Sequence, residues 1–273
     1  MKTIKRVIKR GLSTFVGAER AQSMSGHLSQ RIQKLEYDVS TAGRASKQHL
    51  KAVASAYQGE RCVIIGNGPS LRNTDLSLIK DEFTFGLNRI YLNYETMGYQ
   101  TSCLVCVNHH VMDQWGPEFD ALNIPKYFDW KARGFVRPDA QTTFFRSVTG
   151  PKFSTCIPEE GLWQGATVTY AAMQLAYHMG FSQVILIGVD HSFVTQGPAH
   201  QLVTSEGDDP NHFHPDYFGK GSRWQLPDLE TSEIAYGLAR KQFESSGRRI
   251  VDATIGGKLT VLPKSDLRSL LSK

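Results

Sequence analysis

The stretch Cys62-Val-Ile-Ile-Gly-Asn-Gly-Pro-Ser-Leu71 decides the fold class, because a short apolar run leads directly into a glycine-rich turn. The run has the length and β-branched content of a buried strand, and the residues after the turn predict a helix. Glycines let a backbone approach a ligand closely, and a helix N-terminus attracts phosphate. We therefore predict a nucleotide-binding turn made by Gly66, Asn67, Gly68, Pro69 and Ser70, with a purely structural turn as the alternative.

This turn differs from the best-known phosphate-binding motifs. Leu71 stands where the dinucleotide fingerprint requires its third glycine, and no Gly-Lys-Ser/Thr follows the turn. Both NAD binding and a P-loop are therefore disfavoured.

From Glu60 onward, short apolar runs alternate with helical patterns. The predicted strands are Cys62–Gly66, Phe83–Asn88, Ser102–Asn108, Gln183–Asp190 and Arg249–Ala253, and the predicted helices are 75–80, Ala166–Met179 and Leu229–Ser246. Apolar strands that alternate with helices indicate a parallel sheet covered on both faces. We predict an α/β fold, a Rossmann-like doubly wound parallel sheet over residues 60–273, preceded by a helical arm over residues 1–59.

The composition is that of a globular protein, with 273 residues, 40% hydrophobic and 21% charged. No window approaches the roughly 18 apolar residues of a membrane-spanning helix, and the N-terminus lacks the apolar core of a signal peptide. We expect a cytoplasmic protein. Cys103-x-x-Cys106 lies within a predicted strand, so we expect core cysteines rather than metal ligands.

The positive charge is concentrated in the arm. Residues 1–60 carry 11 basic and 4 acidic residues, whereas the remainder has a net charge of −2. Because a nucleic-acid enzyme spreads basic residues over its site, we expect no nucleic-acid substrate. Residues 1–19 predict a basic amphipathic helix that packs on its own domain or lies on an anionic membrane surface, peripherally at the inner membrane face. Residues 26–57 predict a second helix, either a lever or a homo-oligomer contact.

An asparagine stands at, or directly after, the end of three predicted strands. Asn67, Asn88 and Asn108 follow successive strands, and ligands of doubly wound sheets bind outside the carboxyl ends of the strands. Each amide offers an uncharged donor and acceptor, which suits a nucleotide. We predict that the three line one crevice, the alternative being ordinary turn residues.

The segment Gly66-Asn-Gly-Pro-Ser-Leu71, the strand-end asparagines and Gly180-Phe-x-x-Val-Ile-Leu-Ile-Gly-Val-Asp190 resemble bacterial sialyltransferases that use CMP-activated sialic acid. They are equally similar to the central domain of flagellin-modifying motility accessory factors and to archaeal 6-hydroxymethylpterin diphosphokinases. Asn211-His-Phe-His214 and Gly247-Arg-Arg-Ile-Val-Asp-Ala-Thr254 resemble an uncharacterised bacterial branch common in surface-polysaccharide gene sets. The resemblance covers residues 60 to about 265.

The resemblance implies that Asn67, Gly68 and Ser70 contact the nucleotide phosphate and ribose, and that Asn88 and Asn108 contact the donor. Two elements differ from the sialyltransferases. Gly165-Ala-Thr-Val-Thr169 replaces their Arg-x-Thr-Ser-Gly, and His191-Ser192 replaces an aromatic pair. We assign Thr167 to the donor site and expect a nonulosonic or Kdo-like donor sugar.

Four histidines, His191, His200, His212 and His214, crowd one strand end and the loop after it. Imidazole titrates near neutral pH and suits a general base. The base of the resembling enzymes lies on the loop before the last large helix, which implies His214, with His212 as second choice. Asp190 is predicted to orient the loop or His191, with a structural cap as the alternative. A divalent metal at His212-x-His214 stays open, although we expect neither a cofactor nor a required metal.

These observations favour an inverting glycosyltransferase that moves a nonulosonic or Kdo-like sugar from a CMP donor to a glycan or surface-polysaccharide acceptor. ATP-dependent pyrophosphoryl transfer is the alternative, disfavoured because the crevice strands end in asparagine where carboxylates would hold magnesium. A non-catalytic nucleotide-binding domain is the third hypothesis.

Overall fold

The computed structural model describes the backbone of residues 18–272 and the side chains of residues 28–272. Its helices over that range are α1 (Ala18–Val39), α2 (Thr41–Val53), α3 (Tyr94–Met97), α4 (His109–Asp120), α5 (Ile157–Glu160), α6 (Val168–Met179), α7 (Leu229–Ser245) and α8 (Leu267–Leu271). Its strands there are β1 (Arg61–Ile65), β2 (Phe83–Leu87), β3 (Cys103–Cys106), β4 (Lys126–Asp129), β5 (Thr142–Phe145), β6 (Gln183–Ile187), β7 (Leu202–Thr204), β8 (Arg223–Gln225) and β9 (Arg249–Asp252).

The main sheet of the described chain is parallel, with seven strands in the order β5-β4-β3-β2-β1-β6-β9. The predicted doubly wound α/β fold is confirmed. The chain runs outward from β1 to β5 and then returns to the other side of β1 with β6, so the strand order reverses between β1 and β6. A crevice opens at such a reversal, outside the carboxyl ends of the strands.

The sheet is buried on both faces. Alternate residues of β1 enter two different hydrophobic cores, Cys62 and Ile64 on one face and Val63 and Ile65 on the other. The first core is completed by α2, α6 and α7, and the second by α4, α8 and the segment before α7. This two-sided burial explains why the strands read as continuous apolar runs.

The two edges of the sheet are covered by other parts of the chain. At the β5 edge, the Tyr37 hydroxyl donates to the Phe144 carbonyl at 2.7 Å, and the Phe144 N–H donates to Ser46 Oγ at 2.9 Å. At the β9 edge, the Asp252 N–H donates to the Pro263 carbonyl at 2.8 Å. The helix pair before β1 is therefore packed on the sheet.

The helix predicted over residues 26–57 is interrupted at Ser40. The Ser40 side chain accepts a hydrogen bond from Gly43 N–H at 3.0 Å and caps a new helix, α2. Residues 1–17, the greater part of the predicted basic helix, lie outside the described residues. Over the described range, no helix is long and apolar enough to cross a membrane.

Other local predictions need correction. The helix predicted after the glycine-rich turn is a five-residue 3-10 helix, Pro69–Asn73, and the one predicted over residues 75–80 is a 3-10 helix, Leu76–Ile79. Between the predicted strand Gln183–Asp190 and the predicted helix Leu229–Ser246, where no element was predicted, β7 and β8 pair as a short hairpin. Cys103 and Cys106 are buried free thiols, as predicted.

The cover over β5 yields a prediction. Tyr37→Phe keeps the buried ring but removes its hydroxyl. The buried Phe144 carbonyl then loses this hydrogen-bond donor. We expect the free energy of unfolding to fall by about 1–3 kcal/mol in urea denaturation. Tyr177→Phe, which removes a hydroxyl bonded to Ser246 at an exposed position, is the matched control. Equal losses of stability in both variants would mean that the Tyr37 hydroxyl does not specifically stabilise the β5 edge.

Candidate functional site

A cavity of about 310 Å³ opens at the carboxyl ends of β1, β2, β3 and β6. The start of α6, the start of α7 and the segment from Asp190 to Pro227 complete its wall. The predicted site residues that line it are Gly66, Asn67, Gly68, Asn88, Asn108, Thr167, Asp190 and His212. Pro69, Ser70 and His214 stand behind or beside this wall rather than in it.

The glycines of the β1 turn allow the loop after β6 to approach closely. Gly66 N–H donates to the Ile187 carbonyl at 2.8 Å, and Gly68 N–H donates to the Gly188 carbonyl at 2.9 Å. A Cβ at Gly66 would lie 2.3 Å from the Gly188 oxygen, and one at Gly68 would lie 1.9 Å from Asp190 Oδ2. Packing between the two loops therefore requires glycine at both positions, before any ligand is considered.

Asp190 fixes the turn rather than the histidine beside it. Its Oδ1 accepts from Ser70 N–H at 3.1 Å, and its Oδ2 accepts from the Ser70 hydroxyl at 2.6 Å. The N–H and hydroxyl of Ser70, which the resemblance assigns to the nucleotide, are thus already bonded to a carboxylate. His191 is oriented by a different residue, Glu233, whose Oε1 lies 3.0 Å from Nε2.

The three strand-end asparagines meet in the cavity wall, and two of them carry unpaired oxygens. Asn67 Nδ2 donates to the Leu87 carbonyl at 3.1 Å, and Asn108 Oδ1 caps α4 by accepting from His110 N–H at 2.9 Å. Oδ1 of Asn67 and Oδ1 of Asn88 are buried and lack a well-formed hydrogen bond among the described residues, and the Asn88 side chain lies beside the buried Tyr217 hydroxyl. Because a buried unpaired oxygen is costly, these two acceptors are suited to ligand donors.

Backbone strain is concentrated around the same cavity. Of the five described non-glycine residues with positive φ, four line it, namely Asn88 (46°), Ala166 (59°), His191 (54°) and His200 (63°). Such conformations cost free energy and persist where the surrounding structure enforces them, as it often does at functional sites.

Helix N-termini supply the positive end of a dipole on three sides of the cavity. The N-cap residues of α4, α6 and α7, which are Asn108, Thr167 and Asp228, all line it. The residues Val168 and Thr169 of the first turn of α6 are also in the wall. The cap of α7 is itself a carboxylate, so the N-termini of α4 and α6 are the two that favour an anionic ligand.

Asp209 and His212 form a hydrogen-bonded pair in the roof of the cavity. Asp209 Oδ2 lies 2.6 Å from His212 Nδ1, and both side chains are nearly buried, at 2% and 12% exposed. The imidazole stacks on the Tyr217 ring at a centroid distance of 4.0 Å. Since Nδ1 is engaged by a carboxylate, Nε2 is the nitrogen left for a ligand, as in a general base oriented by an acid.

His214, the first choice from the sequence, has another role. Its Nδ1 accepts from Asp216 N–H at 3.1 Å and so closes a local turn outside the wall. His200 lines the cavity with its Nε2 at 3.2 Å from Asp228 Oδ2, but its side chain is 59% exposed. Of His200, His212 and His214, His212 is therefore the one whose surroundings best suit proton transfer, and His191 with Glu233 is a second carboxylate-paired histidine in the wall.

Gln164 is a wall residue that the sequence analysis missed. Its Nε2 donates to Asp129 Oδ2 and to Ser147 Oγ, both at 2.6 Å. Burial raises the pKa of the Asp129 carboxyl above its ordinary value. With both amide hydrogens engaged, Oε1 of Gln164 is the group available to a ligand. Its partners lie at the ends of β4 and β5, which the sequence pattern did not indicate.

Within the described residues, no group of three or more His, Cys, Asp or Glu residues is arranged to hold a metal ion.

Comparison with known proteins shows a likeness in fold. No family model and no curated protein matches the chain. Among solved structures, the MAf glycosyltransferase from Magnetospirillum magneticum AMB-1 aligns with a TM-score of 0.50 and 12% sequence identity. The shared property is the fold. The alignment covers 85% of this chain but 39% of that chain, so this chain corresponds to less than half of the glycosyltransferase.

The packing of the β1 turn yields a second prediction. Gly68→Ala places a methyl group 1.9 Å from Asp190 Oδ2 and must displace the carboxylate from Ser70. We expect the free energy of unfolding to fall by about 1–3 kcal/mol in urea denaturation. Gly134→Ala is the control, because its Cβ meets nothing within 4 Å. If the two variants are equally stable, the loops are not closely packed.

Proposed function

We propose that this protein is a glycosyltransferase that moves a nonulosonic or Kdo-like sugar from a CMP donor to a hydroxyl of a glycan acceptor, such as a surface polysaccharide. The observation that carries the proposal is the Asp209 and His212 pair in the roof of a cavity whose floor is lined by amides. The fold likeness to a MAf glycosyltransferase supports it, as does the resemblance of the β1 turn to sialyltransferases.

The donor site suits a nucleotide with a single phosphate. The N-termini of α4 and α6 offer backbone N–H groups and positive dipole ends, which stabilise one phosphate without a metal in this proposal. The unpaired oxygens of Asn67 and Asn88 accept hydrogen bonds from donors on the nucleoside. Thr167 and Asn108 stand beside them as the N-caps of these helices.

In the proposed reaction, His212 acts as general base. Nε2 removes the proton from the acceptor hydroxyl as its oxygen attacks the anomeric carbon. The bond from that carbon to the phosphate oxygen breaks, and CMP leaves with the electron pair. Asp209 holds the ring through Nδ1 and stabilises the imidazolium that forms. A positioned base of this kind contributes about 10²- to 10⁴-fold in rate.

The proposed cellular setting rests on the sequence. We place the reaction in the cytoplasm, with residues 1–19 contacting the anionic inner face of the membrane and residues 26–57 contacting a second copy. The exposed side chains of Leu35 and Val39 on α1, at 63% and 58%, are compatible with that contact.

Nucleotide binding tests the amide floor. Asn67→Ala and Asn88→Gly each remove an acceptor, and glycine keeps the positive φ of 46° at position 88 without strain. We expect each variant to weaken CMP binding by about 1–3 kcal/mol in calorimetric titration. Asn123→Ala, at an exposed position outside the wall, is the control. Unchanged affinity in both variants would contradict the site, and binding of ATP but not CMP would favour pyrophosphoryl transfer.

Turnover tests the base. His212→Gln should lower kcat by about 10²- to 10⁴-fold with donor KM little changed, because the ring acts on the acceptor hydroxyl. His214→Gln is the matched control, because His214 is two residues further along the same segment and lies outside the wall. CMP release from CMP-activated sialic acid and from CMP-Kdo measures both, with water in the place of the glycan hydroxyl when no glycan is added. Loss of turnover in the His214 variant alone would transfer the role to that residue.

A further inference from the structure

The segment that carries His212 is held by two arginines from the loops after β1 and β2. Arg72 donates to the His212 carbonyl through Nη2 and to the Phe213 carbonyl through Nε, both at 2.9 Å. Arg89 donates to the carbonyls of Asp216, at 2.8 Å, and Tyr217 through Nη1. Because these acceptors are backbone oxygens, the arginines fix the path of the segment itself.

The peptide bond between His212 and Phe213 is held at both of its polar groups. Its carbonyl accepts from Arg72, and its N–H donates to the Asn67 carbonyl at 2.8 Å. Both partners belong to the turn and 3-10 helix after β1. The orientation of this peptide unit sets the direction of the His212 Cα–Cβ bond, from which the imidazole projects into the roof.

Arg72 is itself on a fixed support. It lies on the 3-10 helix Pro69–Asn73, whose Ser70 is bonded to the Asp190 carboxylate at the end of β6. The Asp190–Ser70 hydrogen bond, the 3-10 helix and the Arg72–His212 hydrogen bond therefore connect the point where the strand order reverses to the backbone of His212.

We propose that Arg72 is a positioning residue for the transfer reaction: its fork of two donors on consecutive carbonyls holds the backbone of His212 so that Nε2 meets the acceptor hydroxyl. This inference rests on the proposed function. A guanidinium presents several donors in one plane, whereas an ammonium is a single point of attachment, so lysine reproduces the contact in part.

The position of Arg72 separates this role from a contribution to stability. Its side chain is exposed, and its bond to the His212 carbonyl lies at the surface, so water can replace that bond when the guanidinium is removed. A displacement of about 1 Å at a reacting group, in contrast, costs about 10²-fold in rate. Arg89 is unsuited to the test, because its side chain is 6% exposed and packs over the Trp115 ring, so its loss disturbs the core.

The experiment compares Arg72→Gln and Arg72→Lys with Arg268→Gln in the full chain. Arg268 is 66% exposed and bonds Asp75 near the same 3-10 helices, which makes it a matched control. Two readouts are needed: kcat and KM for CMP release from CMP-activated sialic acid and CMP-Kdo, and the proton NMR signal of the hydrogen-bonded His212 Nδ1–H. The loss of that signal in His212→Gln assigns it.

We expect Arg72→Gln to lower kcat by about 10²-fold with KM for the donor little changed, and to shift or broaden the His212 signal. Arg72→Lys should be intermediate, and Arg268→Gln should match the wild type in both readouts. The same melting temperature in the Arg72 and Arg268 variants would support positioning over stability.

An unchanged signal and an unchanged kcat in Arg72→Gln would overturn the proposal. If the wild-type protein releases no CMP from either donor, the proposed function fails on its own account. The NMR comparison then decides the inference alone: a signal altered in Arg72→Gln but not in Arg268→Gln supports a positioned ring, and an unaltered one overturns it.

Discussion

The contact between the turn after β1 and the loop after β6 is the constraint on which the cavity depends. These strands are neighbours at the reversal of strand order, where the helices of the two halves of the sheet diverge. The turn contributes no side chain at Gly66 and Gly68, which leaves room for the Gly188 carbonyl and the Asp190 carboxylate. The Asp190 carboxylate then joins them through Ser70. The turn in this junction carries Asn67, which lines the cavity, and leads to Arg72, which holds the backbone of His212.

The cavity wall is preorganised by pairs of partners rather than by single residues. Three histidines in the wall each have a carboxylate within hydrogen-bonding distance, at 2.6 Å for His212, 3.0 Å for His191 and 3.2 Å for His200. One ring nitrogen of each is thereby engaged, which defines what the other presents to a ligand. The strained backbone around them shows that the fold enforces this arrangement against local preference.

The sequence was sufficient for most strands of the main sheet and insufficient where tertiary contacts override local pattern. β1, β2, β3, β6 and β9 were predicted within a few residues, whereas β4 and β5 were not. In β4 the buried run includes a lysine, Lys126, which a sequence pattern assigns to the surface. That lysine is buried and bonded to the Leu122 carbonyl and to Asp139. The helix expected after the glycine-rich turn was wrong for a similar reason: the donors of Ser70 are bonded to Asp190, 120 positions along the chain.

At the site, the convergence of three asparagines followed from the strand-end rule alone. The choice between two histidines did not, since it depends on which ring meets Asp209. That partner stands only three residues before His212, so the Asp-x-x-His spacing was a signal that the sequence contained. Glu233 and Gln164 act through contacts between distant segments, which no local pattern indicates.

The covered edges of the sheet also limit how this protein can associate. A strand with free N–H and C=O groups invites another chain to pair with it, and such pairing leads to strand exchange and aggregation. Here the backbone of Phe144 in β5 is bonded by Tyr37 and Ser46, and the end of β9 at Asp252 is bonded by residues 263–265. Extension of the main sheet by a foreign strand is blocked at these places, so association with another chain through this sheet is disfavoured at both of its edges.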